Sequence, residues 1–235
     1  MGTVHRQAAT AVDHRRVDRR IERDENEFGR TCSFFDAIFA VSMTLLATGI
    51  DPGPGDWTSW RALWDGVGFQ LVAFGISFAL IGAYWWGNHR FVASLKTLSP
   101  RLVITTLVML AFVALVPFTT DALGNEGRSS VEIATVVYAA NLAVVSLMAT
   151  YLHLVARTDG LYRVPPTPEE VRLTLIDQST TTVVFLVSIP VALLVSGEAA
   201  RWCWLSLAFI GPLMARRTGR RARRARHAPE ADGGV

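Results

Sequence analysis

Three ionisable side chains, Arg30, Asp36 and His89, lie in or beside the apolar segments of this chain. An aspartate in a membrane helix costs roughly 2.5–3.5 kcal/mol at the bilayer centre and less near the interface, so its presence calls for a reason. Asp36 and His89 have the residue types of a proton relay. A helix bundle can also bring Arg30, Asp36 and His89 together, which would neutralise the aspartate, and the alternative to this is that each group reaches the headgroup region separately.

A second set of residues carries no charge. With about 100° of rotation per residue, Val41, Thr44 and Thr48 fall within an arc of about 60° on one side of a helix, and Asp36 lies about 140° from Val41. An apolar residue followed by hydroxyls is typical of a pore lining. The same stripe suits ordinary helix packing, because threonines in membrane helices commonly bond to their own backbone. The residues alone leave both interpretations open.

Motifs for enzymatic chemistry are missing from the sequence. It has no Walker motif, no G-x-S-x-G, no H-E-x-x-H and no His, Cys and carboxylate cluster at metal-ligand spacing. Cys32 and Cys203 fall in separate apolar segments near opposite faces, which argues against a disulfide. We therefore expect neither an enzyme nor a bound cofactor.

Long apolar runs are the elements that must position these residues. Of the 235 residues, 51% are hydrophobic, and the charges crowd into the first thirty residues, the last twenty and short connections. Runs of about twenty apolar residues can cross a hydrocarbon layer of roughly 30 Å, so the sequence predicts an all-α integral membrane protein. Six spans are predicted: Cys32–Ile50, Gly66–Gly87, Leu102–Leu123, Glu132–Val155, Ser179–Gly197 and the short Ala199–Met214. Pro190, inside the fifth, predicts a kink.

The positive charges predict the orientation. If the N-terminus is internal, every Lys and Arg except Arg61, Arg128 and Arg201 lies on the cytoplasmic side. This distribution predicts both termini in the cytoplasm of a multi-pass protein of the cell membrane.

The two flanks complete the predicted domains: residues 1–30 are a charged cytoplasmic segment, 31–215 the six-helix domain, and 216–235 a basic, disordered tail. We expect the tail to bind anionic lipids rather than nucleic acid, because it follows a cytoplasmic membrane exit.

One stretch resembles a known family. The spacing of Arg30, Phe34 and Asp36 is similar to the R-x-x-x-F-S-D signature in the first helix of the transmembrane protein 175 family, the endolysosomal potassium channel of animals and its bacterial relatives. The continuation AIFAVSMTLLATGI also resembles that helix. Shorter similarities follow in order, namely YWWGNHRF, LVPFTTDAL and YAANL, so the resemblance covers Arg30–Met214.

The resemblance implies a homotetrameric channel through which potassium ions pass passively, with one six-helix repeat per chain as in the bacterial form. In that family the first helix of each subunit lines the pore. Val41 takes the position of the aliphatic constriction, and Thr44 and Thr48 match the pore-facing positions beyond it. About four copies of one helix are also what would be needed to surround a pore.

The resemblance further implies that the signature residues form a packing network outside the permeation path, here Arg30, Phe34, Asp36, Trp85 and His89. Two residues depart from the pattern. Phe35 replaces the signature serine, which removes a hydroxyl from the network. Val41 is smaller than the usual leucine or isoleucine, which predicts a wider constriction and weaker discrimination between potassium and sodium.

Two other classes of function remain as alternatives. A proton-coupled secondary transporter would use Asp36 and His89, although the remaining carboxylates lie near the membrane faces rather than at the midplane. A scaffold without transport activity is also compatible with the sequence.

Overall fold

The computed structural model describes residues 20–53, 56–124, 130–201 and 204. These residues include six α-helices: α1 (Asn26–Leu45), α2 (Trp60–Ala93), α3 (Pro100–Ala114), α4 (Val116–Gly124), α5 (Val131–Thr158) and α6 (Pro168–Leu194). Residues 197–201 are also helical. A 3-10 helix, Leu46–Gly49, continues α1, and another covers Asp56–Thr58. Two short strands, β1 (Ile21–Glu22) and β2 (Thr97–Leu98), pair antiparallel.

Five helical segments of the described chain are long and apolar enough to cross a membrane. They are Asn26–Gly49, Trp60–Ala93, Pro100–Gly124, Val131–Thr158 and Pro168–Leu194. Each overlaps one of the first five predicted spans, which confirms the helical membrane fold. The predicted sixth span, Ala199–Met214, lies almost entirely outside the described residues, as does the basic tail, so the count of six stays a prediction.

The helices extend beyond the predicted spans because polar caps, rather than hydropathy, decide where a helix ends. In α6 the Thr167 hydroxyl accepts a hydrogen bond from the Glu170 amide at 3.2 Å, and the Glu170 carboxylate accepts one from the Thr167 amide at 2.9 Å. This capping box starts the helix eleven residues before the predicted Ser179. Helix α1 also begins before the predicted span, at Asn26 and not at Cys32, although its N-cap residue Glu25 makes no side-chain capping hydrogen bond.

The third predicted span is broken into α3 and α4 at Leu115. The physical cause is Pro117, which has no amide hydrogen to bond to the carbonyl of Val113 one turn earlier. By contrast, α6 continues as a helix through Pro190 to Leu194.

Aromatic side chains lie near both ends of α2. Trp57, Trp60 and Trp64 are exposed at its start, and Trp86 is exposed near its end. The 22 residues from Trp64 to Trp86 span about 33 Å at 1.5 Å per residue, close to the thickness of a hydrocarbon layer. This spacing is typical of the aromatic belts at the two membrane surfaces.

The core is apolar but contains buried hydroxyls that join the helices. The Thr120 hydroxyl of α4 donates to Ser77 of α2 at 2.8 Å, and Ser77 is hydrogen-bonded to the Tyr138 phenol of α5 at 3.0 Å. Gly82 lets α1 approach α2 closely, since an added Cβ there would lie 3.2 Å from the Met43 methyl group. Such small residues and paired hydroxyls are the usual means by which membrane helices associate.

The segment before α1 is hydrogen-bonded to the C-terminal end of α2 and to the residues that follow it. The Arg23 guanidinium donates to the carbonyls of Val92, Ala93 and Leu95, at 3.3, 3.4 and 2.9 Å. The Arg23 amide bonds to the Lys96 carbonyl at 3.1 Å, next to the pairing of β1 with β2. A cation at the last carbonyls of a helix is favourable for capping and for the helix dipole.

Candidate functional site

Helix α1 and its 3-10 extension have two opposed seams. The buried seam is Phe35, Phe39, Ser42 and Leu46, which face the subunit core. The exposed seam, which we call the α1 strip, is Arg30, Phe34, Ala37, Val41, Thr44 and Thr48. Steps of four and three residues alternate along the strip, and their average of about 3.6 residues is the period of the α-helix, so the strip stays on one side of α1.

The middle and C-terminal parts of the α1 strip are uncharged. Val41 is 55% exposed although it lies in the apolar middle of the helix. The Thr44 hydroxyl donates to the Val41 carbonyl at 2.8 Å, and the Thr48 hydroxyl donates to the Leu45 carbonyl at 2.7 Å. Because these hydrogens are used within the helix, the lone pairs of both oxygens remain available on the exposed side. The strip thus combines an apolar step with two acceptor oxygens.

Asp36 lies on a different side of α1 and has a specific partner. The Trp85 indole nitrogen donates to its carboxylate at 2.9 Å. The His89 ring lies 5.6 Å from the Trp85 ring, between centroids, and 5.9 Å from that of Trp86. Three of the predicted network residues, Asp36, Trp85 and His89, are therefore brought together.

The other two predicted network residues lie elsewhere. Arg30 and Phe34 belong to the exposed α1 strip, and Phe34 is 54% exposed. Among the described residues no ion pair joins Arg30 to Asp36, and both Arg30 and Phe34 line a surface depression beside Val103 of α3. Neutralisation of Asp36 by Arg30 was one interpretation of the sequence, and in the structure the carboxylate instead accepts a hydrogen bond from the neutral indole of Trp85.

Sequence reasoning missed the polar pairs between α2 and α5. Ser77 pairs with Tyr138, and Tyr84 pairs with Ser146 through a short hydrogen bond. The two pairs are seven residues apart on α2 and eight on α5, which is about two helical turns. The repeat of polar residues at about two helical turns on both α2 and α5 was a signal in the sequence that could have indicated these pairs. Within the described part of the chain, no group of three or more His, Cys, Asp or Glu side chains could hold a metal ion.

The fold and the strip define a class: a multi-pass helical membrane protein whose first helix presents an exposed, hydroxyl-bearing face that is uncharged beyond Arg30. A family model described as the endosomal/lysosomal potassium channel TMEM175 matches residues 30–117. A potassium channel of Streptomyces collinus is 32% identical over 149 residues, which cover 58% of this chain and 68% of that protein. A potassium channel of a Chryseobacterium species is 24% identical over 133 residues, covering 56% and 67%.

Solved structures share the fold. A TMEM175 homologue from Chamaesiphon minutus, described as a lysosomal potassium-selective channel, superposes with a TM-score of 0.67 at 22% identity, covering 83% of this chain and 99% of the other. The potassium channel MtTMEM175 superposes with a TM-score of 0.59 at 14% identity, covering 86% and 97%. This chain belongs to the TMEM175 family of potassium channels. The family comprises ion channels and not enzymes, as the residues predicted.

Proposed function

We propose that this chain is one subunit of a channel through which potassium ions pass passively, with Val41 as the hydrophobic constriction. The observation that carries the proposal is the α1 strip. Val41 is 55% exposed at the middle of a seam that has no partner within the described subunit, while the opposite seam is buried. Because the chain belongs to a family of potassium channels, we infer that this unpartnered seam lines the ion path.

The strip supports a homotetramer. Each subunit contributes one such seam, and about four helices are needed to enclose a path as narrow as a single ion. Because the strip repeats with the period of the α-helix, it forms one continuous face along which identical helices can pack side by side. In this arrangement the Val41 side chains form an apolar ring around the axis, and apolar rings of this kind obstruct hydrated ions by dewetting.

Thr44 and Thr48 follow Val41 toward the predicted outer side. Their hydroxyl oxygens, whose hydrogens are bonded to backbone carbonyls, can replace part of the hydration shell of a potassium ion. A ring of valines is wider than one of leucines or isoleucines, so selectivity for potassium over sodium is expected to be modest. The permeant ion is the only inorganic partner required, and no cofactor takes part.

We also propose the membrane orientation and the partner of the tail. Both termini lie in the cytoplasm of a cell-membrane protein, which is supported by the arginine distribution. The basic tail would then meet anionic lipid headgroups at that surface and not nucleic acid.

The function can be tested by reconstituting the full chain in liposomes loaded with potassium. We expect a flux that follows the potassium gradient and needs neither ATP nor a proton gradient. Val41→Asn should change the flux, because an amide ring hydrates where a valine ring does not.

The matched control is Val183→Asn, since Val183 of α6 is 54% exposed and lies outside the α1 strip. If Val41→Asn and Val183→Asn both conduct like the wild-type protein, Val41 is not the constriction. An absence of any potassium flux from the wild-type protein would overturn the channel itself.

A further inference from the structure

We propose that a cavity between α2 and α6 binds the glycerol head of a neutral lipid, such as a monoacylglycerol or diacylglycerol. The cavity has a volume of about 300 Å³ and is closed on its inner sides by α3 and α5. It lies on a different side of α2 from the Trp85 contact with Asp36. The proposal does not depend on the channel function.

An incomplete set of polar contacts between α2 and α5 marks the cavity. Moving along both helices toward their C-terminal ends, the Ser77–Tyr138 pair is followed by the Tyr84–Ser146 pair. Asn88 and His153, which lie further along these two helices, both line the cavity, and no hydrogen bond links them.

Asn88 has an unmet hydrogen-bonding requirement. Its side chain is only 8% exposed, and its Oδ1 atom has no hydrogen-bond partner among the described residues. A buried polar atom left without a partner costs about 1–3 kcal/mol, so an amide in this state points to a ligand that supplies the missing bond. A hydroxyl group of a bound molecule would supply it.

The charge of the wall selects a neutral head. The described lining residues include no Asp, Glu, Lys or Arg, and their polar groups are the hydroxyls of Tyr84 and Thr181, the amides of Asn88 and Gln178, and the His153 imidazole. His153 is itself hydrogen-bonded through Nδ1 to the Tyr162 phenol at 3.0 Å. Burial raises the pKa of Tyr162 to about 12, so this phenol is uncharged at neutral pH. A carboxylate or phosphate would lose its hydration here without an opposite charge, whereas a glycerol could use donors and acceptors together.

The opening and depth of the cavity suit a lipid. Gly87, at its α2 wall, is exposed, and a Cβ added there would meet no atom within 4 Å. The apolar residues Leu80, Met109 and Leu152 complete the wall and would contact an acyl chain. His89 and Arg90 come directly after Asn88 in the sequence and mark the end of the apolar segment. The polar part of the cavity therefore lies near the depth of the lipid glycerol groups at the predicted cytoplasmic surface.

The test uses the full chain in phosphatidylcholine nanodiscs at neutral pH, with monooleoylglycerol that carries a photoreactive diazirine in its acyl chain. We expect cross-links within residues 80–91 and 178–181, and their loss when unlabelled monooleoylglycerol is added. Gly87→Leu should reduce the labelling about tenfold because the new side chain occupies the open space. Gly75→Leu is the control, since Gly75 is also exposed on α2 and its Cβ would also meet nothing within 4 Å.

Two further measurements test whether the cavity requires a neutral, hydroxyl-bearing head group or only a molecule of the right shape. Asn88→Leu keeps the side-chain volume and removes an unpartnered polar atom, so the protein should remain folded while labelling falls several-fold. Unlabelled oleate should compete much more weakly than monooleoylglycerol. Wild-type labelling in Gly87→Leu would overturn the site, and equal labelling in Asn88→Leu or equal competition by oleate would overturn the neutral hydroxyl-bearing head.

Discussion

The indole nitrogen of Trp85 lies 2.9 Å from a carboxylate oxygen of Asp36 and donates a hydrogen bond that joins α2 to α1. Asp36 is half-buried, and it lies about 140° around α1 from the exposed Val41. The carboxylate of Asp36 therefore fastens α1 to its neighbour α2. The exposed α1 strip carries uncharged residues over its middle and C-terminal parts.

Trp85→Phe should destabilise the protein. The substitution keeps an aromatic ring but removes the donor to a carboxylate, and a hydrogen bond to a charged group contributes about 1.5–3 kcal/mol. Thermal unfolding of the purified protein should show a lower midpoint than for Trp86→Phe, whose exposed ring stacks on the same histidine. Equal midpoints for the two variants would contradict the role of the Asp36 contact.

Asp36→Asn separates the channel from a proton-coupled transporter. An asparagine still offers Trp85 an acceptor oxygen, so a channel variant should carry potassium down its gradient much as the wild-type protein does. A transporter that used Asp36 and His89 as a relay would move potassium uphill when only a pH gradient is imposed, and Asp36→Asn would abolish that movement. If wild-type liposomes take up potassium against its gradient and Asp36→Asn liposomes do not, the protein is a proton-coupled transporter and not a channel.

Thr44→Val and Thr48→Val should each lower the preference for potassium over sodium. Valine has nearly the shape of threonine but lacks the oxygen that would contact the ion. Reversal potentials measured with potassium and sodium on opposite sides would report the change. Thr180→Val is the matched control, because Thr180 of α6 lies outside the α1 strip and its hydroxyl likewise donates to a carbonyl of its own helix, that of Ile176, at 2.7 Å. If Thr180→Val changes the potassium-to-sodium permeability ratio as much as Thr44→Val and Thr48→Val do, the change comes from general helix stability and not from lost contacts with the ion.

Arg23→Met should loosen the end of α2. Methionine keeps much of the side-chain length but loses all three bonds to the carbonyls of Val92, Ala93 and Leu95. We expect a cost of about 1–3 kcal/mol in local stability and faster hydrogen exchange over residues 94–98. The exposed Arg20, changed to methionine in the same way, should leave exchange there unaltered. Unchanged exchange in Arg23→Met would show that β1 and β2 hold the segment alone.

The family, the membrane class, the first five spans and the face of α1 were within reach of the sequence. Hydropathy over about twenty residues reports whether a helix can lie in a bilayer, and the helical period places Val41, Thr44 and Thr48 on one side without knowledge of any neighbour. Both are properties of a continuous stretch of chain. The break at Leu115 was also readable in principle, since Pro117 is a local cause, but it was missed.

Only the tertiary structure decided which groups meet. Asp36 pairs with Trp85, 49 residues away, and not with Arg30, because the partner of a half-buried carboxylate depends on how two helices are rotated against each other. Arg23 reaches carbonyls about 70 residues along the chain, and nothing in its charged segment distinguishes it from its neighbours. The cavity beside Asn88 exists because α2 and α6 stay apart over that depth. The sequence by itself determined the elements and their faces, since these follow from local periodicity, whereas packing between distant helices decided the contacts that give each face its role.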